Sequence, residues 1–185
     1  MGLTERDDAN IINVGASKTA IDRLGFGLGG KFIFPTNGSH TMLIDSVFST
    51  TFIATAWLNL ALIGDNLIET AAERQYGFYR QIILGTKFNI MGLLLVYADP
   101  HWTPDLTSDS TWGYELGLEI PIMSDFFVRL GDFSSAMVPY LNLYGHGYSV
   151  GLGWMAPKVS FDYALQRVVS PVGCIANTFG MTLYF

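Results

Sequence analysis

A chain of 185 residues, half of them hydrophobic and only 14% charged, is long enough for one domain with a sizeable core but short of charge for a water-facing surface. Ten Lys and Arg against sixteen Asp and Glu give a net charge of −6, which argues against a nucleic-acid partner. The longest apolar runs, 52–64 and 90–98, fall short of the roughly 18–20 residues a spanning helix needs, so the composition points to the other lipid-compatible architecture, a closed β-barrel.

The chain opens on MGLTERDDAN, with no basic segment leading into an apolar one, and Met-Gly is expected to stand where an export signal has been removed. Residues 1–22 read as an N-terminal segment in which 9–19 is a partial strand or a lumen filler, and 23–185 read as the barrel. About ten strands, within a range of 8–12, follow in the barrel. Their expected positions are 23–34, 40–50, 52–64, 77–89, 90–98, 112–121, 124–132, 145–155, 157–166 and 174–185.

Connections alternate between short and long. Tight turns are expected near Thr50-Thr51, near Asn89-Ile90, at Pro121-Ile122-Met123 and at Ala156-Pro157. Long polar loops are expected at 35–39, 65–76, 99–111, 133–144 and 167–173. Sorting short turns to one end and long loops to the other is the asymmetry of a transmembrane up-and-down barrel, with periplasmic turns and extracellular loops. The fold class is therefore all-β, an antiparallel transmembrane barrel in the bacterial outer membrane.

The period of two assigns faces. Trp112, Tyr114, Leu116, Leu118 and Ile120 alternate with Gly113, Glu115, Gly117 and Glu119, and the first set is expected to meet lipid. Tyr148 to Trp154 and Val159 to Leu165 alternate in the same way. Trp57, Trp112, Tyr114, Trp154 and Tyr184 are candidates for the interfacial aromatic belt. Lys31, Lys87, Glu115, Glu119, Arg129, Lys158 and Asp162 fall on the inner face, where opposite signs on neighbouring strands predict a charge network that fills a narrow lumen.

Groups able to do chemistry sit near the long loops. His40, His101 and His146 have Ser39, Asp99, Asp132 and Ser134 near some of them in sequence, and a Ser–His–acid site is defined by geometry rather than order. No nucleophile elbow and no His-Glu-x-x-His spacing is present, so no enzyme, cofactor or metal is expected. Asp99, His101, Asp105 and Asp109 lack the ligand spacing of a calcium loop and read as a solvated acidic loop. GFGLGG lies inside an alternating strand and is no phosphate loop, and the single Cys174 makes no internal disulfide.

In TFGMTLYF, Thr178, Gly180, Leu183 and the terminal Phe185 resemble the C-terminal assembly signal of bacterial outer-membrane barrels. That resemblance implies a transient partner, the barrel-assembly machinery. RLGFGLGGKFI, YRQIILGTKFNI, GYELGLEIP, GYSVGLGW and VSFDYAL are similar to the later strands of FadL-like outer-membrane proteins, the long-chain fatty-acid transporter group, and their PorV-like relatives. The expected function is an integral barrel with a structural or lipid-organising role, non-enzymatic and homo-oligomeric, with outer-membrane lipid as partner. The alternative is a reduced FadL-like conduit for hydrophobic solutes. A third reading, an enzyme at the rim, would require His101 or His146 to converge with a serine and an acid.

Overall fold

The computed structural model describes residues 2–5, 9–36, 42–106, 110–123, 125–138 and 143–183. One antiparallel sheet of twelve strands runs in sequence order from β1 (Gly2–Glu5) and β2 (Ala9–Ile21) through β3 (Leu24–Pro35), β4 (Leu43–Ile53), β5 (Leu58–Asp65) and β6 (Gln81–Ile90). It continues with β7 (Leu94–Trp102), β8 (Trp112–Pro121), β9 (Phe126–Val138), β10 (Leu143–Ala156), β11 (Val159–Ser170) and β12 (Cys174–Leu183). A short helix, α1 (Ala71–Gln75), interrupts the connection between β5 and β6. Every strand pairs with its chain neighbour, and among the described residues β12 is not paired with β1 or β2. The sheet nonetheless curls, because Ile11 and Lys31 near its start line the same cavity as Met137 and Tyr144 near its end.

Short and long connections alternate as expected, with the boundaries of five connections moved. β4 continues to Ile53, so the turn expected near Thr50 lies at 54–57. β6 runs through Ile90, and the next turn is Met91–Leu93, where Met91 and Gly92 have φ of 54° and 72° and the Asn89 side chain accepts from the Gly92 N–H at 2.8 Å. Residues 133–138, 143–144, 99–102 and 167–170, expected in loops, are strand. Their polarity misled the boundary: a ladder hydrogen bond holds in water as well as in lipid, so strands can continue past the bilayer as polar hairpins. Residues 9–19, expected as a partial strand or lumen filler, belong to β2, a thirteen-residue strand paired along β3 from Ala9↔Pro35 to Ile21↔Leu24.

Inside the curl, at the long-loop end, Ile11, Ile33 and Phe78 form a buried apolar cluster against which Leu43 and Tyr76 pack. Phe78 comes from the β5–β6 connection, so this cluster seats that connection over the lumen mouth. Thr70 caps α1 by accepting the Glu73 N–H at 3.2 Å, while the Glu73 carboxylate accepts the Thr70 N–H. Phe133, Ala136, Val138 and Val168 form a second buried cluster on the β9–β11 side.

Glu69 ties the same connection down. Its carboxylate, almost wholly buried, accepts the Arg80 N–H at 2.9 Å and lies 3.4 and 3.6 Å from the Arg74 and Arg80 guanidinium groups. Burial pushes the Glu69 carboxyl above the usual carboxylate range; the Arg80 N–H opposes this and the neighbouring Asp105, which shares a hydrogen bond with it, adds to it. A raised folded-state value means that the fold holds this proton more tightly than the unfolded chain does. Its contribution is therefore complete below the ordinary Glu value of about 4.3 and is lost as pH rises through the raised value. Hydrogen-exchange protection of residues 66–80, corrected for intrinsic rate, should fall across that rise, and Glu69→Gln should flatten the dependence.

Candidate functional site

In β9 the outward positions run Phe126, Val128, Leu130, Asp132 and Ser134, so the alternation that turns three apolar side chains to the lipid side turns a carboxylate there as well. Register sets Asp132 between Leu116 of β8 and Tyr148 of β10, both exposed on the same face. Tyr114 stands beside Ser134, and its hydroxyl hydrogen-bonds the Asp132 carboxylate. Below this pair, toward the short-turn end, Val96, Leu116, Leu118 and Leu130 line an apolar groove of about 350 Å³ whose head is Asp132. An ionisable group on the lipid face of a barrel costs free energy, most at mid-membrane and least near the interface, and is a functional candidate by default.

A β-bulge completes the arrangement. Gly145 pairs with Ala136 and Gly147 with Phe133, so two strand steps on β10 face three on β9, and Ser135 takes a φ of 50°. The extra residue sets His146, exposed and outward between two buried glycines, opposite Ser134–Ser135. From the lumen side His101 fastens the bulge: its Nε2–H donates to the Ser135 carbonyl at 2.9 Å, with the ring 2% exposed. His101 and His146 therefore lie on opposite faces of one wall. Of these two, His146 is the one on the same face as Ser134 and Asp132.

The expected inner charges separate into groups. Arg129 donates to Glu119 at 2.7 Å and to Asp162 at 2.5 Å, and its guanidinium lies 4.3 Å from the centre of the Phe127 ring. Lys31 pairs with Asp65 at 2.7 Å and also donates to Asn66 at 2.9 Å, partners outside the expected network because both fall in the loop expected at 65–76. Lys87 lies over the Tyr97 ring at 5.4 Å, and Glu115 stands across from Asp99 with His101 near both. Lys158 is not an inner-face residue: it is exposed in the tight turn between β10 and β11, where the chain reverses. Among the described residues no three His, Cys, Asp or Glu side chains converge as a metal set, and Asp109 lies outside them, as do Ser39 and His40.

Aromatic side chains gather at both ends of the sheet. Trp57 stacks on Phe88, and Trp154 stacks on Phe161 at 5.7 Å, both toward the short turns. Trp112 stacks on Trp102 at 6.0 Å at the long-loop end, one outward step from Tyr114. In β12, Thr178 and Gly180 face inward opposite Ala164 and Asp162, and Leu183 faces outward opposite Val159. Tyr184 and Phe185 lie outside the described residues.

No protein-family model matches the chain, and no curated protein matches it. A solved structure does: outer membrane phospholipase A from Escherichia coli is similar over 97% of this chain and 80% of its own, with a TM-score of 0.53 and 13% identity. The fold is that of an outer-membrane β-barrel. At that identity the likeness speaks for the fold alone, yet it changes two expectations. The structural neighbour is a phospholipase and not a FadL-like or PorV-like transporter, so the finer resemblance is not supported. The expectation of a non-enzymatic chain is overturned as well, since the barrel that shares this fold is an enzyme.

Asp132 went unremarked on the outer face, although the sequence carried the signal. FFVRLGDFSS keeps its period of two from Phe126 through Ser134, and reading that period past Leu130 places Asp132 on the lipid side. The bulge that brings His146 opposite Ser134 has no comparable signal, because it depends on how β9 and β10 pair.

Proposed function

We propose that this chain is an integral barrel of the bacterial outer membrane that holds lipid against its outer wall. The observation that carries the reading is the Tyr114–Asp132 pair at the head of the apolar groove between β7, β8 and β9. An amphiphile matches that arrangement: its headgroup donors meet the carboxylate, and an acyl chain lies along Val96, Leu116, Leu118 and Leu130. The aromatic pairs at both ends of the sheet support a membrane setting. Self-association is part of the proposal, since a lipid held in a wall groove can be shared with a neighbouring copy.

The test is extraction in a mild detergent, with bound lipid quantified by mass spectrometry and particle mass by light scattering. The wild-type chain is expected to keep stoichiometric lipid in a defined oligomer, and Leu130→Trp, which fills the groove, to keep several-fold less. Equal lipid in both would sink the reading. A monomer that instead conducts ions in a planar bilayer would favour a lumen conduit.

A further inference from the structure

We propose that Ser134, His146 and Asp132 form a hydrolytic site on the outer wall that cleaves a carboxylic ester of a membrane lipid, with Ser134 as nucleophile and His146 as general base. The inference rests on the lipid-holding reading and assigns chemistry to the head of the same groove. Three observations carry it. Ser134 and Asp132 are successive outward positions of β9, and the β9–β10 bulge sets the outward His146 opposite Ser134–Ser135. The bulge also holds Ser135 in a strained backbone conformation, at a φ of 50°, with its carbonyl bonded by His101.

The third observation is depth. Tyr114, level with Ser134, is one outward step in from Trp112, whose ring stacks on Trp102 at the long-loop end. Two residues of a tilted strand descend about 5 Å. If the tryptophans mark the headgroup level, Ser134 lies where the ester linkages of a bilayer lipid lie. The groove then continues toward the membrane centre in the direction an acyl chain would take.

The reaction balances with water as the only co-reactant. His146 accepts the Ser134 Oγ proton as Oγ bonds to the ester carbonyl carbon. The carbon–oxygen bond to the lipid alcohol then breaks, and the departing oxygen takes that proton from His146. Water attacks the acyl-Ser134 carbonyl while giving a proton to His146, the fatty acid leaves, and Ser134 regains its proton. Asp132, held by the Tyr114 hydroxyl one outward step from Ser134, is a positioning residue.

The experiment uses the full chain in detergent micelles mixed with a diacyl phospholipid, and an alkyl fluorophosphonate as serine probe with the labelled peptide mapped. Label on Ser134 and release of fatty acid are expected. Ser134→Ala should abolish the label, and His146→Gln should slow release about 100-fold to 10,000-fold. Asp132→Asn should slow fatty-acid release, and Asp132→Glu should restore part of the rate. Variants with the wild-type unfolding midpoint and lipid content separate chemistry from folding. No label on Ser134, label on Ser135 instead, or release unchanged in Ser134→Ala would overturn the proposal, and stoichiometric lipid in the same sample would leave the lipid-holding reading standing.

Discussion

Replacing Ile33 by Ala is expected to lower stability in detergent by about 2–5 kcal/mol, the usual range for emptying a fully buried aliphatic site. Ile33 is completely buried between Ile11 on the neighbouring strand and Phe78 from the β5–β6 connection, with Leu43 and Tyr76 at its edge. The sheet itself keeps its ladder hydrogen bonds in the variant, so the loss should appear first in the part the cluster holds. Denaturant unfolding should therefore show a lower midpoint. Trypsin should cut earlier at Arg74 and Arg80, which flank Phe78 in the seated connection. A variant with wild-type protease resistance would show that the Glu69 contacts alone hold residues 66–80.

Gly153→Ala should have a comparable effect for the opposite reason. A Cβ at Gly153 would overlap the Phe127 ring, which packs flat on the bare backbone with Arg129 over it. Phe127 is itself buried, so the ring clears a new Cβ only by displacing its neighbours. Overpacking costs about 1–3 kcal/mol, and displacing the ring from the guanidinium adds about 0.5–1 kcal/mol. Phe127→Leu in the same chain should recover most of the loss. The two changes should thus fail to add by more than about 1 kcal/mol in a double-mutant cycle of thermal unfolding. Additive losses would mean that the ring and the glycine do not meet.

These sites relate to the outer wall through one strand. β9 carries Phe127 and Arg129 inward and Asp132 and Ser134 outward, so inner packing fixes the strand whose other face presents the lipid-side groups. Charge can be tolerated on that outer face near the headgroups, where the penalty for a carboxylate is small. At mid-membrane the same residue would be hard to accommodate.

Local features of the amino-acid sequence are enough to give the membrane-barrel class, the alternation of turns and loops, and the inward or outward sense of most positions. Each follows from a local quantity: low charge with apolar runs too short for helices, turn residues, and a side-chain period of two that no partner alters. The Glu119–Arg129–Asp162 grouping was legible for the same reason, since parity alone puts all three inside. The partner of Lys31, the seating of Phe78 against Ile11 and Ile33, and the place of Lys158 in a turn were decided by register and strand length, which depend on pairings between distant residues. The proposed site depends on them most. Ser134, His146 and Asp132 were visible as residue types, but only the three-against-two count of the β9–β10 bulge sets His146 across from Ser134, and only the curl of the sheet turns that face to lipid.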